Sequence, residues 1–407
     1  MNTLLEENMR FLCDEARMLA GITVACGTRT QSAWAQYGRA QEVTLTDTGF
    51  VPCLRPLTAE AVYDLASLTK LFTTVALLLL LEQGRLSLDE CVGEIDRRFV
   101  NLRSVTVFDV LSFRVSLQTP ERIDTAPDRE EGLRRLFALR VCPTPAVRVY
   151  SDINAMVLKY VVEARSGMAF FDMLKERVLA PAGLTRTYAA VPDAERANCV
   201  CYNYEHRIAG GDYILRTNTP AGVPHDPKAL LLSRGGKDLC GHAGLFSTRQ
   251  DMVRFAQALL SGELLSRRLL FSIGTNRTGR DNGDGTYRQY LGFLCFSKHP
   301  QQRLSEVPRW MGSRAFGLSG FTGNHLSLDP QLGRFVLFLG NRCHARVSHV
   351  IPAEGLTLED YGLDARGVGL VRWKDGRMVP SSAKYVYFKD ERLHAPLESC
   401  MRRRGWL

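Results

Sequence analysis

Ser67 and Lys70 stand three residues apart in "YDLASLTK", at the head of the run "LFTTVALLLLLEQG". Residues at that spacing on a helix share a face, so a hydroxyl and an amine project side by side. At a helix N-terminus the serine's own N–H lacks an intrahelical partner and points to where an oxyanion would form. A hydroxyl becomes a nucleophile once a base takes its proton, and a lysine among apolar side chains can have its pKa lowered towards that task. A second copy of the pattern, Ser381-Ser382-Ala383-Lys384, follows Pro380 and leads into an alternating stretch. Lacking the apolar helix, it is read as a chance match.

Tyr150-Ser151-Asp152-Ile153-Asn154 offers a third group, a tyrosine ahead of an N-cap and a long apolar helix. Beside an ammonium a phenol can act as phenolate, taking the serine's proton and later returning one to the leaving group. Taken singly, each group also has an ordinary reading: an N-terminal serine with a surface lysine, and a tyrosine packed at a helix start.

The elements that must position these groups follow from periodicity. "AGITVACGTRTQSAWAQYG" reads as strand, turn and strand. "SLTKLFTTVALLLLLEQG", "SDINAMVLKYVVEARSG" and "STRQDMVRFAQALLSG" read as helices, each stopped by a glycine. Strands return in "TYRQYLGFLCF", "NHLSLDP" and "RFVLFLGNR". The expected fold is therefore α+β. An antiparallel sheet is built from both chain ends (about 20–64 and 286–342) and flanked by helices, with an all-helical subdomain at about 85–270. Residues 1–345 form one domain on this reading. The remaining 346–407 are a C-terminal extension with a hairpin around Asp375-Gly376 and a further strand in "AKYVYFKDERLH". That extension could serve a partner or oligomer interface.

Composition narrows the class. At 407 residues and 45% apolar content there is ample core. Eleven scattered cysteines are odd in number and do not read as a disulfide framework, which favours a reducing cytoplasm. No secretory signal is visible, and the apolar run 71–81 is too short to span a bilayer. The net charge of +9 is spread along the chain without a nucleic-acid module. The oligomeric state is left open.

"ASLTK", "YSDINAMVLKYVVEARSG", "GHAGLFSTRQDMVRFAQALL", "GLSGFTGNHLSLDP" and "FLGNRCH" occur in an order and spacing that resembles the serine β-lactamase and penicillin-binding-protein superfamily, closest to its class C β-lactamase-like branch. The resemblance covers about residues 20–345. It implies a serine hydrolase working on a small ester, amide or peptide, without metal or cofactor. In it Ser67 would be acylated, Lys70 would be its proton partner and Tyr150 the second acid and base. The N–H groups of Ser67 and Phe321 would form the oxyanion hole, with Asp152, Ser319, Gly320 and Phe321 contacting substrate.

Two departures matter. The third motif, Lys-Thr-Gly or His-Thr-Gly in the family, is Leu318-Ser319-Gly320 here, so a carboxylate-bearing substrate is expected to bind poorly while an ester or neutral amide loses less. Asp152 replaces a common asparagine and could cap its helix or favour a positively charged substrate. Both point to esterase-like or peptidase-like chemistry rather than a true β-lactamase, the alternative being a binding or regulatory module with a weakened site. His242, between glycines, is read as structural. His225 and Asp226 with Cys199 and Cys201 match no zinc spacing. Lys374-Asp375-Gly376 is a turn, and "DNGDGT" at 281–286 is a connection rather than a calcium loop.

Overall fold

The structure, a computed structural model, describes residues 3–142, 149–233, 238–301 and 306–407. Its centre is a seven-stranded sheet: β1 Gly21–Thr28, β2 Ser32–Thr46, β3 Gly49–Pro56, β4 Phe296–Ser297, β5 Phe316–Ser319, β6 His325–Asp329 and β7 Arg334–Gly340, in the order β4-β5-β6-β7-β1-β2-β3. Every neighbouring pair is antiparallel. The two ends of the chain meet where β1 pairs β7, with Val24 opposite Phe338.

Alternation divides the sheet's side chains between two cores, because successive residues of a strand face opposite ways. Ala25, Phe335, Leu337 and Leu339 join the larger core. Ile22, Val24, Cys26, Val336 and Phe338 join the other. The first face is covered by α2 Thr69–Glu82, α3 Asp152–Ser166 and α4 Arg249–Ser261. The second is covered by α1 Thr3–Arg10 and α5 Ala395–Arg403.

α2 is apolar on nearly every side and accordingly lies inside the protein. Phe72 stacks on Phe255 of α4 with ring centroids 4.1 Å apart. The glycine stops fall where expected: α3 ends at Gly167 and α4 at Gly262, with φ of 70° and 85° that a residue with a β-carbon seldom adopts. All eleven cysteines are free thiols. Among the described residues no helix is long and apolar enough to cross a membrane.

Two stretches depart from their sequence reading. "TYRQYLGFLCF" yields only the short pieces Tyr287–Arg288 and Phe296–Ser297. Leu294 at φ 51° breaks the extended run. "AKYVYFKDERLH" is not a strand. It winds as a 3-10 turn, Tyr385–Phe388, and a π turn, Asp390–His394, into α5. Tyr385, Phe388, Leu393, Leu397 and Met401 are spaced for one helical face and all bury against the sheet, and this burial outweighs the local alternation. The hairpin Leu370–Arg372 with Met378–Pro380 turns at Gly376, and Val347–Ile351 adds in parallel to a small sheet formed by Glu205–Ala209 and Asp212–Arg216.

If burial of this last helical segment holds it in place, Leu397→Ala will lower unfolding free energy by about 2–5 kcal/mol, read from the urea midpoint at unchanged slope. A midpoint equal to the parent's would show that the segment packs loosely.

Candidate active site

The strand Val62–Asp64, paired with Phe246–Thr248, delivers the chain to a tight turn and then to a 3-10 turn, Ala66–Leu68, that runs into α2. Ala66 sits at φ 46°, a region that costs a residue with a β-carbon. Asp64 holds it there. One carboxylate oxygen accepts the Ala66 N–H at 2.9 Å and the other accepts the His225 N–H at 2.6 Å. The Asp64 carbonyl accepts from Thr322 Oγ1 at 2.9 Å and Asn324 Nδ2 at 2.6 Å. Burial pushes this carboxyl up, and the two backbone N–H groups work against that shift.

Gly320, at the end of β5, lies flat against the same turn. A β-carbon there would stand 2.7 Å from the Leu65 carbonyl oxygen, so only glycine allows the close approach. The Ser67 and Phe321 N–H groups make no backbone hydrogen bond among the described residues.

Lys70 is fully buried, and its Nζ lies 2.9 Å from Ser67 Oγ. The same Nζ donates to Asp152 Oδ1 at 2.8 Å and to the His242 carbonyl at 3.3 Å. This corrects the expectation of a lysine softened by an apolar setting. Burial does work to lower its pKa, but Asp152, and after it Tyr150, outweigh burial and hold the amine above its ordinary value. Asp152 is not the helix cap either. Ser151 accepts the Ile153 N–H at 3.2 Å, leaving the Asp152 carboxylate between Lys70 and Lys228, whose Nζ is 3.0 Å from Oδ2. Burial opposes its charge, yet Lys70, His242 and Lys228 keep it well below the usual carboxylate range.

Tyr150 is placed by its backbone and by its ring. Gln289 Oε1 accepts the N–H groups of Val149 and Tyr150 at 3.0 and 3.1 Å. The ring lies between Phe113 and Phe296, with centroids at 5.4 and 5.3 Å. Lys70 Nζ is 5.0 Å from the ring centroid. Burial raises the phenol's pKa, while Lys70 and Ser67 favour its ionised form. Ser67, Tyr150, Asp152, Ser319, Gly320 and Phe321 all line one cleft of about 380 Å³.

Several groups in and around this cleft have partners that the sequence reading did not place. His242 is buried in its glycine-flanked turn, with Nε2 2.9 Å from Asp226 Oδ1. Asp226 caps the short helix Pro227–Leu232, an Asp-Pro signature visible in the sequence, but nothing local shows that Lys228 returns to Asp152. Leu318 is buried in the core, so β5 presents no cation. Lys389, far along the chain, reaches Ser319 Oγ at 2.5 Å. His225 groups with Glu205 and Cys343, and Asp226 with Asp152 and His242, at distances a metal could bridge. Cations of the protein already hold these carboxylates: Arg207 and Arg216 lie on Glu205, and Lys70 and Lys228 on Asp152. Cys199 and Cys201 belong to neither group.

A sequence model of the Beta-lactamase family matches residues 14–356. The chain belongs to this family of serine hydrolases. A relative from Salmonella typhimurium (strain LT2), named "Putative D-alanyl-D-alanine carboxypeptidase", is 27% identical over 322 residues, 72% of each chain. Among solved structures, EstCE1, "a hydrolase with promiscuous acyltransferase activity", superposes with a TM-score of 0.62 at 19% identity, covering 83% of this chain and 92% of its own. The "Beta-Lactamase/D-Alanine Carboxypeptidase from Pseudomonas syringae" gives 0.59 at 16% identity, with 83% and 93% covered. At these identities the two structures establish the fold. The antiparallel sheet with covering helices is the family's architecture, as the resemblance implied.

The ion pair sets a titration. Asp152→Asn removes the charge that opposes burial, so the Lys70 pKa will fall below its parent value, followed by the 13Cε resonance of Lys70 against pH. An unchanged titration would mean that Asp152 does not govern the amine.

Proposed function

We propose that the protein hydrolyses a small ester or amide through an acyl-enzyme on Ser67, with esterase-like or carboxypeptidase-like rather than β-lactamase specificity. The observation that carries this reading is the approach of Lys70 Nζ to 2.9 Å from Ser67 Oγ in the cleft that Tyr150 also lines. The names of the carboxypeptidase relative and of the EstCE1 hydrolase agree with it in reaction class.

As Ser67 Oγ attacks the carbonyl carbon, the ionised Tyr150 phenol takes the hydroxyl proton, and the adjacent Lys70 ammonium stabilises that phenolate. The developing oxyanion is received by the Ser67 and Phe321 N–H groups. Collapse expels the leaving group, which takes the proton back from Tyr150. Water then attacks the acyl carbon, Tyr150 takes its proton, and Ser67 departs protonated, freeing the acid. Asp152 acts one step away by keeping Lys70 charged. The absence of a cation on β5 and the carboxylate at Asp152 are the features that support a specificity other than that of a β-lactamase.

Labelling with a fluorophosphonate, followed by peptide mapping, will place the adduct on Ser67, and Ser67→Ala will abolish it. Turnover of a short-chain p-nitrophenyl ester will fall about 10²–10⁴-fold in Lys70→Ala and Tyr150→Phe. Equal labelling of Ser67→Ala, or full turnover in both other variants, would refute the assignment.

The pH dependence has a definite sign. Burial holds the Tyr150 phenol above its ordinary pKa, so its basic form is the minor one at neutral pH. kcat/KM will therefore climb across pH 7–9 by up to about tenfold per unit, without an alkaline decline in that window. A profile falling over that range would assign the base elsewhere.

A further inference from the structure

Of the eleven free thiols, two meet across the second core, far from the cleft chemistry. Cys26 lies on β1, where alternation turns it to the same side as Ile22 and Val24, and it has no solvent contact. Cys400 lies in α5, three residues after Leu397, so it shares the inward face of that helix and is 3% exposed. α5 packs directly on β1, and the Cys26 thiol donates a hydrogen bond to the Cys400 sulfur. Arg404, one helical turn beyond Cys400 and exposed, donates to the same sulfur.

Burial alone leaves a cysteine inert, and Cys295, with no solvent contact, is of that kind: burial pushes its thiol up. Cys400 differs because of its neighbours. The Cys26 contact holds its thiol down to about 6, and Arg404 adds to that against the effect of burial. The same contact, with burial, pushes Cys26 up. The pair therefore shares one proton, carried by Cys26, and places the negative charge on Cys400 beside a guanidinium. A thiolate touching a second thiol is the arrangement that oxidation turns into a disulfide. Cys400 also lies in the last turn of α5, which ends at Arg403, and local opening costs least at such an end, giving a molecule as small as a peroxide its way to the sulfur.

We propose that Cys26 and Cys400 form a redox-active dithiol that a hydroperoxide converts to a disulfide, clamping α5 to the central sheet. The Cys400 thiolate attacks one peroxide oxygen, the O–O bond breaks and hydroxide leaves, giving a sulfenic acid on Cys400. The Cys26 sulfur then attacks the Cys400 sulfur, and the sulfenic hydroxyl departs with the Cys26 proton as water. The dithiol gives up two electrons, and the peroxide is reduced to water and hydroxide. The bridge joins β1 to the last helix and so closes a loop through nearly all of the fold, the case in which a cross-link restricts the unfolded chain most. It anchors the segment that brings Lys389 to Ser319. The inference stands apart from the reading of Ser67 and needs no activity of the cleft.

The test treats the folded full chain, reduced and then freed of reductant, with a small excess of hydrogen peroxide, alkylates the remaining thiols with iodoacetamide in urea, and maps the peptides without reduction. Two of the eleven thiols will be lost, the mass before alkylation will fall by two hydrogens, and the main cross-linked peptide will join Cys26 to Cys400. The oxidised chain will melt a few degrees above the reduced one, and dithiothreitol will reverse the shift. Cys26→Ala and Cys400→Ser will each lose the cross-link and the shift, and in Cys26→Ala dimedone will trap a sulfenic acid on Cys400. Arg404→Gln, a surface change, will slow cross-linking severalfold. Peroxide added to the urea-unfolded chain will give scattered pairs. Should either core variant fail to fold, the parent's own map decides. The same scatter in the folded parent, a different predominant pair, or the same thiol loss in Cys400→Ser overturns the proposal.

Discussion

The ion pair between Lys70 and Asp152 is the constraint on which the cleft depends. A lysine with no solvent contact would shed its proton if burial acted alone, and a carboxylate in the same place would take one up. At 2.8 Å each holds the other charged, and Lys228 on the far oxygen of Asp152 extends the arrangement to Asp226 and His242. Removing Asp152 leaves the fully buried Lys70 charge without its carboxylate, which is destabilising. Burial raises the Tyr150 phenol's pKa and the charge on Lys70 works against that rise, so the electrostatics of both groups depend on this contact.

Holding those charges in register requires a rigid frame, and Asp64 provides it. Its side chain fixes the left-handed Ala66 ahead of Ser67 and the backbone of His225. Its carbonyl fixes Thr322 and Asn324, in the loop that follows β5. One buried residue thereby couples the turn that carries Ser67 to the opposite wall. Backbone strain of this kind persists only where the surroundings over-determine it, and four hydrogen bonds onto a single residue do so.

The second core shows how the end of the chain becomes part of this frame. α5 and the turns before it cover the face of the sheet opposite α2, so the segment that carries Lys389 is anchored by Phe388 and Leu393 on either side of it. A lysine placed between two buried apolar residues at helical spacing is carried inward with them. Its charge then finds Ser319 and Glu306 rather than water.

Local sequence determined the helices and their glycine stops, the pairing of Ser67 with Lys70, and the strands whose alternation divides two cores, because each rests on contacts between residues a few positions apart. It also placed Tyr150 at the start of α3, and the order of motif blocks pointed to the family. Tertiary structure alone decided the charge on Lys70, since the opposing carboxylate lies 82 residues along the chain. It likewise decided that Asp152 is an ion-pair partner rather than a cap, that "AKYVYFKDERLH" is helical, and that Lys389 returns to the cleft. A pKa and a long-range pairing depend on which groups come within a few ångströms in a dry environment, and that proximity is created by the packing of the sheet and its two covering layers, not by any short stretch of residues.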